Sequence, residues 1–491
     1  AFLQGDIQEV DEDVDPSETQ PLREDVFCEP TPELAAKLGL EHHQCVRLLK
    51  AVYGLVNAPR RWYQRVSKDF ASLNGVENTT EPCLWTFRNP KGEIIGLVLL
   101  YVDDALIACS LGCDGKTLLK DIKSLYEWGT WETKAFTQCG AQIVQAYDQH
   151  LKQWGGFTIS MEEYASEIQL INLPPNRRLQ KEEKVTNYEQ SLFRAIAGQL
   201  SWLAQQCCPK LVAPLSLLMG ETNCATVDTL LRANKLARQA LKWASEPMCV
   251  HAHKNPVTVG WSDGGWTTRK DGTSQLGYLV GIADIEILQG KESPVTIVSW
   301  HSSKTPRVAK SSSAVELQGI GEVDDEMTYV RLALYETLVG PIEIRRWPEY
   351  ARRIPAAVVT DCRGVYDALS RSASSCLGLK DKKSGLEALA VKQSLINLKT
   401  ALRWCHSFAQ LADCMTKDDS KSRESFELFQ KRKFRWKLVS DPSFTAAKKR
   451  VKLGLDTLDY VPQEESDHEM TVPEVPRALE LPQYSCKERP I

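Results

Sequence analysis

Four carboxylates in the second half of this 491-residue chain fall where an element begins or ends: Asp263, Glu316, Asp361 and Asp413. Asp263 reads as part of a strand and is followed by Gly-Gly, which lets another backbone come close. Glu316 opens a long helix, Asp361 ends a buried strand, and Asp413 opens a late helix. Strand ends and helix starts of a mixed sheet can converge on one point, where four acids repel one another unless divalent cations intervene. Two Mg²⁺ ions about 4 Å apart would balance them and could cleave a phosphodiester. Each acid also has an ordinary structural reading. Glu316 follows Ser313 at capping-box spacing; Asp361 could N-cap the next helix; Asp413 suits a helix N-terminus; Asp263 suits a turn before Gly-Gly. Taken singly these readings serve as well; taken together, in this order and on these elements, the metal reading explains more.

A second pair stands earlier. Asp103 and Asp104 lie in "YVDDALIAC", at a sharp turn that an apolar run, Ile94 to Leu100, leads into. Adjacent carboxylates in such a place are costly unless a cation sits between them.

The elements that must position these acids can be read from periodicity. Residues 1–165 read as α+β. After an acidic, Pro-containing opening, "TPELAAKLGL" is a short helix with Thr31 as N-cap, and an amphipathic helix from Pro59 carries Trp62, Val66 and Phe70 on one face. A hairpin and a third strand surround the Asp pair. Residues 166–250 are mostly helical. Residues 251–425 run β-β-β-α-β-α-α-β-α, a mixed sheet with helices on its faces. Residues 426–491 begin basic ("QKRKFRWK", "AAKKRVKLG") and end acidic and Pro-rich, which predicts a tail that is largely disordered.

Composition excludes some classes. The net charge of −4 carries no global nucleic-acid signature, so such binding needs local basic patches. The 15 cysteines form no C-x-x-C pair and the 8 histidines show no zinc-ligand spacing, which reads as free thiols in a reducing compartment. No apolar run is long enough to span a bilayer. The first residue is Ala1, which reads as a processed product or a piece of something longer.

With these motifs in hand, the chain resembles the copia-type retrotransposon Pol family over roughly residues 1–420. "AFLQGD", "KAVYGLVNAPRRWY" and "LYVDDALIACS" resemble its reverse transcriptase, and "LFRAIAGQLSWLAQQCCPKL" the segment that follows. "GWSDGGW", "VSWHSSKTPRVAKSSSAVEL", "VVTDCRGVYDAL" and "QLADCMTK" are similar to its ribonuclease H domain. The resemblance implies reverse-transcriptase fingers and palm over 1–165, a helical thumb or connection over 166–250, and a ribonuclease H-like mixed sheet over 251–425.

It also implies roles. Asp263, Glu316, Asp361 and Asp413 match four acids that hold two Mg²⁺ or Mn²⁺ ions and cut the RNA strand of an RNA–DNA hybrid. Asp103 and Asp104 match the paired acids of a polymerase palm, where two ions align a DNA primer and a dNTP on an RNA template. Phe2 matches an aromatic that screens against a ribose 2′-OH, and Tyr53 and Gly54 border the incoming nucleotide. Lys50, Arg60 and Arg61 could meet phosphates, with plain surface solvation as the other reading. His406 matches a loop His that assists turnover, against an ordinary solvent-facing His. The family's first polymerase Asp falls before Ala1, so the expectation is that this chain as given does not polymerise. "CCPKL" departs from the family's Arg-Pro-Asp. A degenerate or domesticated copy that only binds nucleic acid is the alternative, though all four downstream acids being present argues against decay there. The family implies cytoplasmic virus-like particles, and Lys448 to Lys452 ("KKRVK") reads either as a nuclear-import patch or as a solvated basic helix. No membrane contact is expected, and the oligomeric state is left open.

Overall fold

The computed structural model describes residues 27–41, 44–47, 58–148, 153–370 and 381–438. Phe2, Lys50, Tyr53, Gly54 and the stretch Lys448 to Lys452 lie outside them. The described chain divides into two compact units. One takes in residues up to Trp131 together with Glu336–Ile342; the other runs from Glu132 to Tyr335 and from Glu343 onward.

In the first unit, β1 (Phe27–Cys28) pairs with β2 (Val46–Arg47), and α1 (Pro32–Leu38) lies between them in sequence. Thr31 caps α1 as expected, its hydroxyl accepting from the Leu34 N–H at 3.4 Å. Helix α2 (Ala58–Ser72) buries Ala58, Trp62, Val66 and Phe70, one stripe at four-residue spacing. At roughly 1.5–3 kcal/mol per large apolar side chain buried, that stripe holds the helix in place more than propensity does. Strands β3 (Gly75–Glu77), β4 (Leu84–Arg88), β5 (Ile94–Tyr101) and β6 (Asp104–Cys109) form an antiparallel meander in that order. The stripe of α2 and the Leu118–Ile122 face of α3 (Cys113–Leu125) pack with Trp85, Phe87 and Val98 into one core.

The second unit begins with β7 (Ala135–Gln138), β8 (Ala141–Asp148) and β9 (Gln153–Ser160), then α4 (Glu162–Ser166), α5 (Pro175–Leu179), α6 (Asn187–Gln206), α7 (Pro209–Met219) and α8 (Val227–Ala244). Strand β10 (Met248–Val250) returns to pair with β9, closing a four-stranded sheet in the order β10-β9-β8-β7. Next come β11 (Pro256–Gly265), β12 (Gln275–Asp284), β13 (Ser293–Lys304), α9 (Ser312–Leu338), α10 (Trp347–Ala351), β14 (Ala356–Thr360), α11 (Arg363–Ser370), α12 (Lys382–Leu398), β15 (Thr400–Trp404), α13 (Ser420–Lys431) and β16 (Arg435–Trp436). The main sheet has the order β15-β14-β11-β12-β13-β16. Strands β11, β12 and β13 are antiparallel; β14 and β15 run parallel to β11. One face of this sheet packs on Leu317, Ile320, Val323 and Met327 of α9 and on α12. The other shares a continuous core with α6, α7, α8 and α13.

The boundaries differ from those read in the sequence. Residues 132–165 lie in the second unit, because Ala141, Met161 and Ala165 join the core of α6–α8. The helices of 166–250 share that core with the main sheet: Leu200 and Leu211 lie in one cluster with Val259 and Ile297, and the Trp300 indole donates to the Ala204 carbonyl at 2.8 Å. Folded structure also passes residue 425. Phe426, Phe429, Phe434 and Trp436 are buried, Trp436 meets Trp261 edge-on at 5.1 Å, and β16 pairs with the rim of β13. Among the described residues every cysteine is a free thiol, and no helix is long and apolar enough to cross a membrane.

Candidate metal centre

Asp263 occupies the eighth position of β11 and is 3% exposed. Trp261 on β11 pairs in parallel with Val359 on β14, so Asp263 and Asp361, each two residues further on, leave the same end of adjacent strands. Glu316 comes from the second turn of α9. Its approach depends on Gly264: a Cβ there would fall 2.8 Å from the Glu316 backbone nitrogen and 2.9 Å from Val315 Cγ1. On the other face Gly277, which pairs with Asp263, plays the same part for the segment carrying Asp413, since a Cβ would lie 2.3 Å from Met415 Cβ.

The result is a cluster. Asp263, Glu316 and Asp361 each offer an oxygen within 4.8 Å of the other two. The Glu316 side chain is 8% exposed and its Oε2 is buried without a hydrogen-bond partner. An ionised oxygen left so is expensive, and a divalent cation held with Asp263 and Asp361 would satisfy it. The donor set, all hard oxygen, suits Mg²⁺ or Mn²⁺.

Burial and mutual repulsion dominate the electrostatics. The Glu316 carboxyl is pushed well above the usual carboxylate range by burial, then by the charges of Asp263 and Asp361. Asp361 is pushed up to about 6 by burial and by Asp263, against a hydrogen bond from Ser407. Asp413 is pushed up to about 7 by burial and by Asp263, with Lys417 pulling the other way.

Two details depart from the sequence reading. Asp413 opens no α-helix: it sits in a 3-10 turn, Leu411–Met415, and α13 starts at Ser420. The expected helix over "QLADCMTK" is cut short because Met415 is pinned onto Gly277 and its carbonyl accepts from the Ser302 hydroxyl. The capping-box role for Glu316 also fails, since the Ser311 hydroxyl accepts from the Ala314 N–H at 3.2 Å and the helix begins at Ser312. His406 is 3% exposed, not solvent-facing; its Nδ1 accepts from the Phe408 N–H at 3.4 Å and its ring lies 4.7 Å from that of Phe408.

Three neighbours went unread in the sequence. Gln410, fully buried, donates to the Ser262 carbonyl at 3.0 Å and accepts from the Ala412 N–H at 3.2 Å, tying the 3-10 turn to β11. The Thr416 hydroxyl donates to Asp263 Oδ2. Lys417 places Nζ 3.1 Å from Asp413 Oδ1 and 3.4 Å from Asp263 Oδ2. The i, i+4 spacing of Asp413 and Lys417 was the available signal.

Asp103 and Asp104 are placed differently. Asp103 lies in the two-residue turn between β5 and β6, Asp104 pairs with Tyr101, and both are exposed. Val102, first in the turn, has φ 56°. The Trp62 indole of α2 donates to its carbonyl at 2.6 Å. Arg60 and Arg61 precede that Trp on α2, the first exposed and the second half-buried. Among the described residues no third carboxylate completes a metal-holding group with this pair.

Comparison with known proteins gives the class first. Residues 18–176 match the family described as reverse transcriptase (RNA-dependent DNA polymerase). The chain is 25% identical over 370 residues to a retrovirus-related Pol polyprotein from transposon TNT 1-94 of Nicotiana tabacum, covering 68% of this chain and 24% of that protein. It is 23% identical over 331 residues to the corresponding polyprotein from transposon RE1 of Arabidopsis thaliana, covering 64% of this chain and 21% of that protein. By these matches residues 18–176 carry a reverse transcriptase domain and the chain is similar to copia-type retrotransposon Pol proteins; it spans about a quarter or less of the curated relatives' length. A solved foamy viral protease-reverse transcriptase in complex with RNA/DNA hybrid is 11% identical over 74% of this chain and 60% of that one, but superposes only loosely, with a TM-score of 0.20.

Proposed function

We propose that the main sheet of the second unit carries a ribonuclease H-type nuclease that cuts the RNA strand of an RNA–DNA hybrid, in a chain that also holds part of a reverse transcriptase domain, of the kind that extends a DNA primer with dNTPs on an RNA template. The observation that carries the nuclease reading is the convergence of Asp263, Glu316 and Asp361, with a buried Glu316 oxygen that has no partner. Bound divalent cations would supply an activated water and charge stabilisation at the departing 3′ oxygen. Asp263 would be the shared ligand, since its carboxyl lies within 4.8 Å of those of Glu316 and Asp361 and Lys417 links it to Asp413. Gln410 and Thr416 hold the Asp413 turn and Asp263 in register; they are positioning residues. Buried His406, behind the 3-10 turn Ser407–Ala409, would act on turnover only by orienting that loop. In the reverse transcriptase domain Asp103 and Asp104 would hold ions for nucleotide addition, and Arg60 and Arg61 would meet backbone phosphates.

The test is cleavage of a labelled RNA–DNA hybrid by the purified chain in Mg²⁺, with RNA–RNA duplex as the control. Hybrid-selective cutting that Asp263→Asn abolishes, with an unchanged circular dichroism spectrum, supports the reading. Absence of cutting by the folded wild-type chain in both Mg²⁺ and Mn²⁺ rules it out.

A further inference from the structure

Lys417 links Asp263 to Asp413, the carboxylate outside the close group of three. Its ammonium bridges Asp413 Oδ1 at 3.1 Å and Asp263 Oδ2 at 3.4 Å. Asp413 stands outside the group of three acids whose oxygens lie within 4.8 Å of one another. The four carboxylates therefore divide. Asp263, Glu316 and Asp361 bring their oxygens within 4.8 Å of one another, whereas Asp263 and Asp413 are already bridged by a cation, the chain's own. The Thr416 hydroxyl adds a further bond to the same Asp263 oxygen. Lys417 is 38% exposed, so its ammonium can leave for water without unpacking the core.

We propose that Lys417 is a built-in competitor for the second cation. It makes the two positions unequal: the first ion loads at Asp263, Glu316 and Asp361, and a second ion at Asp263 and Asp413 binds only as Lys417 is displaced. Two positive charges held by the same two carboxylates repel each other strongly at this range, so each drives out the other. This rests on the metal-centre reading above and adds to it an order of loading and the residue that sets it. A Lys also suits the task better than Arg, because a point charge on a flexible stem exchanges more readily than a bidentate guanidinium.

The experiment is a Mn²⁺ titration of the full chain, following free Mn²⁺ by electron paramagnetic resonance, for wild type, Lys417→Gln, Lys417→Arg and Asp263→Asn. Wild type should show a tight and a weaker class of site. Lys417→Gln should tighten the weaker class by about tenfold and leave the tight class within about twofold. Lys417→Arg should keep the weaker class weak, and Asp263→Asn should lose both. If Lys417→Gln leaves the weaker class unchanged or weakens it, the competitor role is wrong while the metal centre stands. If wild type binds no Mn²⁺ that Asp263→Asn abolishes, the metal centre itself is wrong and the competitor role goes with it. Circular dichroism of each variant confirms folding, and Lys417→Met repeats the test should Lys417→Gln precipitate.

Discussion

The two acidic sites of this chain solve one electrostatic problem in opposite ways. Asp103 and Asp104 sit on an exposed hairpin tip, where water screens them and the cost of adjacency is small. Asp263, Glu316 and Asp361 come from two neighbouring strands and a helix; Asp263 and Glu316 are buried and Asp361 half-buried, where screening is poor. The hairpin pair is a local feature, built by one turn and one indole. The downstream set exists only because distant segments meet, and burial and mutual repulsion drive the Glu316 and Asp361 carboxyls toward their neutral forms. The difference teaches which substitutions alter chemistry alone and which alter the fold with it.

The largest expected effect separates the sites by activity. Asp263→Asn should reduce hybrid cleavage by about a thousandfold or more, because the shared ligand is lost. Asp103→Asn should leave hybrid cleavage within about twofold. Equal losses from both, measured as initial rates on the same labelled hybrid, would show that the two sites do not divide the chemistry as proposed.

Next comes packing. Gly277→Ala places a Cβ 2.3 Å from Met415 Cβ and 2.6 Å from its carbonyl oxygen. The 3-10 turn with Asp413 must then lift from β12, at a cost of about 2–3 kcal/mol in urea unfolding. No substitution on the hairpin tip should approach that. A loss below about 0.5 kcal/mol would mean that the turn is not pinned as described.

The third expectation is a pH dependence with a definite sign. Unfolded carboxyls titrate near pH 4, while Asp361 and Asp413 in the fold are pushed up to about 6 and about 7. Groups whose folded pKa is raised contribute stability that is complete below about pH 4 and lost as pH rises through the folded values. The metal-free chain should therefore lose stability between about pH 4 and 8, by several kcal/mol. Mg²⁺ should restore it at the upper end and do little at the lower end, by mass action on the folded state. Glu316→Gln should flatten the profile. A metal-free melting temperature that rises across that range would contradict the burial argument.

Much of this was legible from residue patterns. The strand of Asp263, the long helix of Glu316 and the strand ending at Asp361 follow from apolar runs and periodicity, and Gly-Gly after Asp263 announced a close approach that Gly264 does make. What the patterns do not hold is adjacency. The parallel pairing of β11 with β14, which sets Asp263 beside Asp361, is a choice among sheet orders. The 3-10 geometry at Asp413 depends on Gly277, more than a hundred residues away. The joining of residues 132–165 to the second unit follows from where Met161 is buried, not from its neighbours in sequence. Lys417 and Thr416 stand in "QLADCMTK" with nothing local to single them out, because their meaning comes from Asp263.

The smallest expected effect returns to the hairpin and asks why a β-branched residue stands there. A tight two-residue turn with positive φ at its first position favours glycine. Val102 at φ 56° is an outlier for its type, costing on the order of 1 kcal/mol. Strain of this kind persists when the surroundings impose it, and the Trp62 indole on the Val102 carbonyl does so here. Val102→Gly should relieve the strain but add freedom to the unfolded chain, leaving a net gain of at most about 0.5 kcal/mol in urea unfolding. Trp62→Phe, which removes the indole N–H while keeping an aromatic ring in the core, should cost about 1 kcal/mol on its own. In the Val102→Gly background it should cost less, because the turn no longer needs to be held against its preference. Equal costs in the two backgrounds, read from a double-mutant cycle, would mean that the indole packs against the hairpin without constraining it, and that Val102 is held by β5 and β6 alone.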